Sequence, residues 1–220
     1  MKNNNLSGNA VQSVFLQKHS AMIRIWHWLT FLVITSSIVT VLLTATLFNQ
    51  RDNVVLVQNQ LKDKGVTVSE EQAFSVTREY EDKLWGVHKL LGYGLAFLLL
   101  SRVMIELINQ KEEKIRFRMK NALLFFKQNG DNKQEYKHYL LVKWSYLLFY
   151  VLLIMMVLTG LGLAFGRELS FSRGVHNIVK EIHSVVQYLI YAFIFIHLCG
   201  VIMADNKRDK GIVSGMISGN

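Results

Sequence analysis

Long uncharged runs alternate with charged connections along this chain. Between Arg24 and Arg51 lie 26 residues without a charged side chain, Ile25 to Gln50; 23 more separate Lys143 from Arg167, and another 23 separate Glu181 from Asp205. An α-helix needs about 20 apolar residues to cross a bilayer core of about 30 Å. Each of the three runs is long enough, and each predicts a membrane-spanning helix. A fourth run, Leu90 to Ser101, is only 12 residues. It reaches crossing length when extended over 84–108, which takes in Lys89, Arg102 and Glu106. Lys89 and Arg102 stand towards opposite ends, where long basic side chains reach the interface or pair internally.

Charge in the connections decides whether that fourth crossing is needed. The stretch from Asn109 to Lys143 carries nine Lys and Arg, and the two tails add Lys2, Lys18, Arg24, Lys207, Arg208 and Lys210. The connection from Arg51 to Lys83 instead carries five basic and seven acidic residues, and the last one only Arg167, Arg173 and Lys180 among its basic residues. Positive loops stay in the cytoplasm, so both termini and the middle connection are expected inside, which requires four crossings. The expected organisation is an all-α integral membrane four-helix bundle with both termini inside. Its spans fall at about 22–48, 84–108, 144–166 and 182–204, between cytoplasmic tails 1–21 and 205–220. The first 21 residues hold no apolar segment with a cleavage site, so the first span is expected to act as an uncleaved signal anchor.

Composition narrows the function. The net charge of +9 follows the topology rather than forming a basic, aromatic-studded soluble module, so no nucleic-acid partner is expected. The single cysteine, Cys199, excludes a disulfide framework, a Cys-rich metal or iron–sulfur site held by this chain alone, and Cys-x-x-Cys-His heme attachment. Proline is absent, so no span carries a proline kink. Ser69-Glu70-Glu71-Gln72 fits a capping box opening a helix that leads into the second span. Residues 114–127 mix basic and apolar side chains in a way that suits an interfacial helix or a plain connecting helix.

The histidines carry the chemistry. Of seven, His27, His88, His183 and His197 fall within or at the ends of spans. His183 and His197 are 14 positions apart; at about 100° and 1.5 Å per residue they share a helix face and stand about 21 Å apart along the axis. His27 begins the first span at the level of His197, and His88 begins the second at the level of His183. The topology therefore predicts two facing pairs, His27/His197 inside and His88/His183 outside. A lone intramembrane histidine is more often a polar group satisfied by a neighbouring helix, but four at matched depths point to metal ligation. Two imidazoles from opposing helices suit a heme iron, which is ligated on two sides of a flat macrocycle, whereas a bare zinc site wants three or four converging ligands.

Other residues fit a large planar guest less specifically. Gly92, one turn after His88, removes bulk, as do Gly94, Ala96 and Gly200, although small residues equally serve close helix packing. Thr30 and Ile34 continue the His27 face. Arg24 and Arg102 lie at the inner level, where a propionate needs a cation; snorkelling accounts for them as well. Lys89, Arg173 and Lys180 are the corresponding outer candidates. His176 is a rival ligand seven residues before His183, His19 and His138 are expected in solvent, and Cys199 is expected as an apolar filler.

These residues resemble the bacterial cytochrome b561 and nickel–iron hydrogenase b-type cytochrome superfamily, which includes formate dehydrogenase membrane subunits. The matching pieces are Arg24-Ile25-Trp26-His27-Trp28, Val87-His88-Lys89-Leu90-Leu91-Gly92-Tyr93 with Arg102 downstream, Thr159-Gly160-Leu161, the His183 and His197 pair, and the tail from Lys210 to Gly219. The long connection from Asn49 to Lys83 and the absence of a proline before the third span depart from the pattern. The resemblance implies two non-covalent b hemes in a multi-pass protein of the cytoplasmic (inner) membrane. It also implies electron transfer between an extracytoplasmic or peripheral redox partner subunit and the quinone pool in a respiratory chain, with the chain as an electron-transfer subunit rather than an enzyme by itself. A free-standing cytochrome b561 quinone reductase is the alternative within the family. A histidine-dependent metal-ion or proton transporter is the alternative outside it, although only Glu106 approaches the mid-membrane acid such a protein uses.

Overall fold

The computed structural model describes residues 20–108, 133–207 and 212–219. Six helices are seen there: α1 (Ala21–Ala45), α2 (Gln50–Lys62), α3 (Glu70–Ile108), α4 (Lys133–Ala164), α5 (Arg173–Lys207) and α6 (Ile212–Ile217). No strand occurs among the described residues. Four helices are long and apolar enough to cross a membrane, with mean hydropathy of 2.0 in α1, 1.8 in α3, 2.5 in α4 and 2.1 in α5. Each of these helices overlaps one expected span, including the one weakened by Lys89, Arg102 and Glu106.

The bundle packs as two pairs. α1 lies along α3, α4 lies along α5, and α3 joins the pairs through α4. Ile34, Leu95, Leu98, Leu153, Val157 and Ile190 lie in the shared core, with Leu153 fully buried. The outer faces are apolar too: Leu90, Phe97, Phe195 and Ile196 are each about 70% exposed, at 68, 70, 70 and 69%. Large apolar side chains exposed to this extent on the spanning helices suit lipid and not water. The bundle is all-α and built for a membrane.

The longest helix outruns the apolar layer. α3 has 39 residues, roughly 58 Å at 1.5 Å per residue, which leaves its first turns beyond the hydrocarbon. That beginning is the expected capping box: Ser69 N–H donates to Gln72 Oε1 at 2.9 Å and Gln72 N–H to Ser69 Oγ at 3.2 Å. Its first half pairs with α2, burying Val54, Ala73 and Thr77. Asn49 caps α2, its side chain accepting from Asp52 N–H at 3.3 Å. The other end of α2 closes on Gly65 at φ 79°, with Val66 N–H bonded to Leu61 C=O and Gly65 N–H to Lys62 C=O, each at 2.9 Å. That reversal needs a left-handed residue, which glycine supplies without strain.

The turn after α4 closes in the same arrangement built on a serine. Phe171 N–H bonds Gly166 C=O at 2.9 Å and Ser170 N–H bonds Arg167 C=O at 3.0 Å, with Ser170 at φ 53°. The short α6 folds back on the beginning of α1: Trp28 Nε1–H donates to the Met216 carbonyl at 3.0 Å. The suggested helix over 114–127 lies outside the described residues, as do His19 and the chain before it.

Candidate functional site

His27 is the seventh residue of α1 and His197 lies towards the end of α5. Because α1 and α5 run in opposite directions, those positions fall at the same end of the bundle. Their ring centres are 6.4 Å apart at an interplanar angle of 56°. Phe193, one turn before His197, stacks on its ring at 6.0 Å and 8°. Trp28 meets the His27 ring edge-on at 5.4 Å. His27 Nδ1 and the neighbouring Thr30 hydroxyl are buried without a hydrogen-bond partner.

The second pair lies at the other end. His88 on α3 and His183 on α5 are both half-buried. Each ring is met by a threonine from the helix beside it. Thr40 Oγ1 on α1 is 2.8 Å from His88 Nδ1, and Thr159 Oγ1 on α4 is 2.9 Å from His183 Nδ1. Both threonines are buried, at 6% and 9% exposure. Gly160 sits under the His183 ring: a Cβ there would stand 3.3 Å from Cε1. Trp85 packs edge-on against His88 at 5.4 Å.

A heme iron needs one imidazole on each face. With metal–nitrogen bonds of about 2 Å, two such rings hold their centres roughly 6 Å apart, and His27 and His197 stand at 6.4 Å. Among the described residues no three His, Cys, Asp or Glu side chains converge as an ion cage. The donors come two by two. His27 and His197 fit bis-histidine ligation of a heme, and His88 and His183 offer a second pair of donors.

The remaining expected residues fall in different places. Arg102 is buried at 7% exposure on α3, at the His27 end. Its Nε donates to Tyr150 Oη at 2.9 Å, its Nη1 pairs with Glu106 at 3.2 Å, and its guanidinium lies over the rings of Trp26 and Tyr150 at 5.9 and 5.7 Å. Arg24 turns towards the tail, its guanidinium against Gly219. A Cβ at Gly92, Gly94 or Gly200 would meet open space. His176 belongs to α5 but is exposed, its ring near Gly166 rather than beside His88. Cys199 is an exposed free thiol, not a core filler.

Thr40 and Tyr150 gain their importance only in three dimensions; Trp26 and Thr159, already among the pieces that carry the family resemblance, gain their partners there. Trp26 Nε1–H donates to the Leu98 carbonyl at 2.7 Å and so ties α1 to α3 next to His27. The depth matching that pairs the histidines also puts Thr40 and Thr159 at the His88 level, and it is the signal that finds them.

Residues 18–219 match the sequence pattern of the prokaryotic cytochrome b561 family. Searches of curated proteins and of solved structures find no match. With nearly its whole length covered, the chain belongs to the prokaryotic cytochrome b561 family of membrane b-type cytochromes, which work in electron transfer.

Proposed function

We propose that the chain holds two b hemes, one on His27 and His197 and one on His88 and His183, and passes electrons across the membrane between a redox partner subunit and the quinone pool. The observation that carries this reading is the approach of His27 to His197 from helices that otherwise pack mainly on α3 and α4. When bound, each heme supplies reversible one-electron chemistry. The protein's own residues do the rest. Four imidazoles hold the irons, the apolar faces of α1, α3, α4 and α5 exclude water, and Gly160 leaves room for the His183 ring.

The 14 residues from His183 to His197 set the two sites about 21 Å apart along α5, one per leaflet. The basic connection from Asn109 to Lys143 supports a cytoplasmic location for the His27/His197 end. The partner then docks on the opposite side, over α2 and the connection from Arg167 to Ser172, and quinone reacts near the inner pair. At that end Arg24 and Arg102 would turn from their contacts at Gly219 and Glu106 to meet propionates, and at the other end Gly92 and Gly94 leave open space on α3 just after His88. The protein resides in the cytoplasmic membrane.

Substitution tests the pairing. His27→Ala and His197→Ala should deplete one heme, and His88→Ala and His183→Ala the other, as read by reduced-minus-oxidised spectra; His176→Ala should leave both. If His27→Ala and His88→Ala removed the same spectral component, the assignment of pairs would be wrong.

A further inference from the structure

The two histidine pairs differ in what their second ring nitrogens meet, and the difference has electronic consequences. Thr40 Oγ1 is 2.7 Å from the Ser37 carbonyl, and Thr159 Oγ1 is 2.7 Å from the Met155 carbonyl. A main-chain carbonyl only accepts, so each hydroxyl's single hydrogen is directed there. The oxygen that remains faces Nδ1 of His88 at 2.8 Å and of His183 at 2.9 Å as an acceptor. Both rings therefore carry their proton on Nδ1 and their lone pair on Nε2. At the other end, His27 Nδ1 is buried without a partner, and no hydrogen bond to His197 is seen among the described residues.

We propose that Thr40 and Thr159 are positioning residues that lock both imidazoles of the His88/His183 pair into the metal-binding tautomer and hold the heme there at a lower potential than the heme at His27/His197. The inference rests on the four-histidine reading above. An imidazole that donates Nδ1–H to an oxygen is a more basic, more electron-releasing ligand. Such a ligand stabilises oxidised iron over reduced iron, and axial ligand hydrogen bonding is one of the levers that set heme potentials. The inner pair lacks this donation at His27. Its nearby buried cation, Arg102, is paired with Glu106 at 3.2 Å, so the difference falls chiefly on the ligands. Electrons entering at the His88/His183 end would then run downhill to the His27/His197 end.

The test is a redox titration of the purified holoprotein, with heme content measured on each sample. The His88/His183 component is identified as the one that survives in His27→Ala. In Thr40→Val and Thr159→Val, which keep shape and remove the acceptor, that component should move to higher potential. The double variant should move it further, and the other component should stay in place. Thr40→Ser, which restores the hydroxyl, should return the wild-type value.

Unchanged potentials in a double variant that retains both hemes would overturn the inference while leaving the ligand assignment intact. Should the valine variants lose heme, the serine variant decides: full heme at the wild-type potential supports the role of the hydroxyl, and the same loss in Thr40→Ser overturns it. A wild-type protein without heme, or His88→Ala with both hemes retained, would instead refute the underlying reading.

Discussion

A single missing side chain shapes the surroundings of His183. At Gly160 even one methyl group would press on the imidazole at 3.3 Å, and a branched side chain would displace the ring. Gly160→Val should therefore cost the His88/His183 heme. Gly162→Ala, whose Cβ would make ordinary contacts of 3.6 Å with Phe171 and Val179, should leave it bound. Heme content of the two purified variants checks this, and equal retention would deny Gly160 its role. Ser170 shows a local cost of another kind. A non-glycine residue at φ 53° sits in a region that disfavours a Cβ by roughly 1 kcal/mol. Ser170→Gly should stabilise the α4–α5 turn by up to about that amount, seen as slower thermal loss of heme; faster loss would mean the serine contributes more than its backbone costs. The four histidines were legible in the sequence because topology fixes depth. Their partners are legible only in part: depth puts Thr40 and Thr159 at the right level, but which threonine meets a ring depends on helix rotation.

Among the elements, local signals foretold some helices and missed others. Ser69 and Gln72 bond reciprocally at the beginning of α3, as their spacing implied, and the helix continues unbroken through the charged residues of the second span. Ser69→Ala should cost about 1 kcal/mol of local helix stability. Amide hydrogen exchange should quicken in the first turn of α3 while both hemes remain, and unchanged exchange would mean that packing against α2 fixes that turn instead. The alternation of uncharged runs and charged connections gives no separate place to α2 or α6. α2 is 13 residues of mixed polarity whose apolar positions bury only Val54, and it owes its place to the caps at Asn49 and Gly65 and to the side of α3. α6 has six residues, too few to nucleate alone in water. It is held by Trp28 and by the Arg24 guanidinium against Gly219, contacts between chain positions nearly 200 residues apart.

The whole molecule joins two helix pairs, α1 with α3 and α4 with α5, through the contact of α3 with α4. Its all-α class and four apolar helices follow from hydropathy and length. Side-chain pairing across the bundle, such as Arg102 with Tyr150 and Trp26 with Leu98, depends on helix rotation, which near-uniform apolar spans do not specify. In a soluble bundle an apolar stripe fixes rotation; here α1 and α4 have no apolar stripe set against a polar face, so polar contacts set it instead. That arrangement places two histidine pairs at opposite ends of one bundle, and the account stands on both being occupied. A pyridine hemochrome assay of the purified protein against protein concentration tests this most directly. The account predicts two hemes b per chain; a reproducible value of one in fully loaded protein would contradict the second site, and a value of zero would contradict the account as a whole.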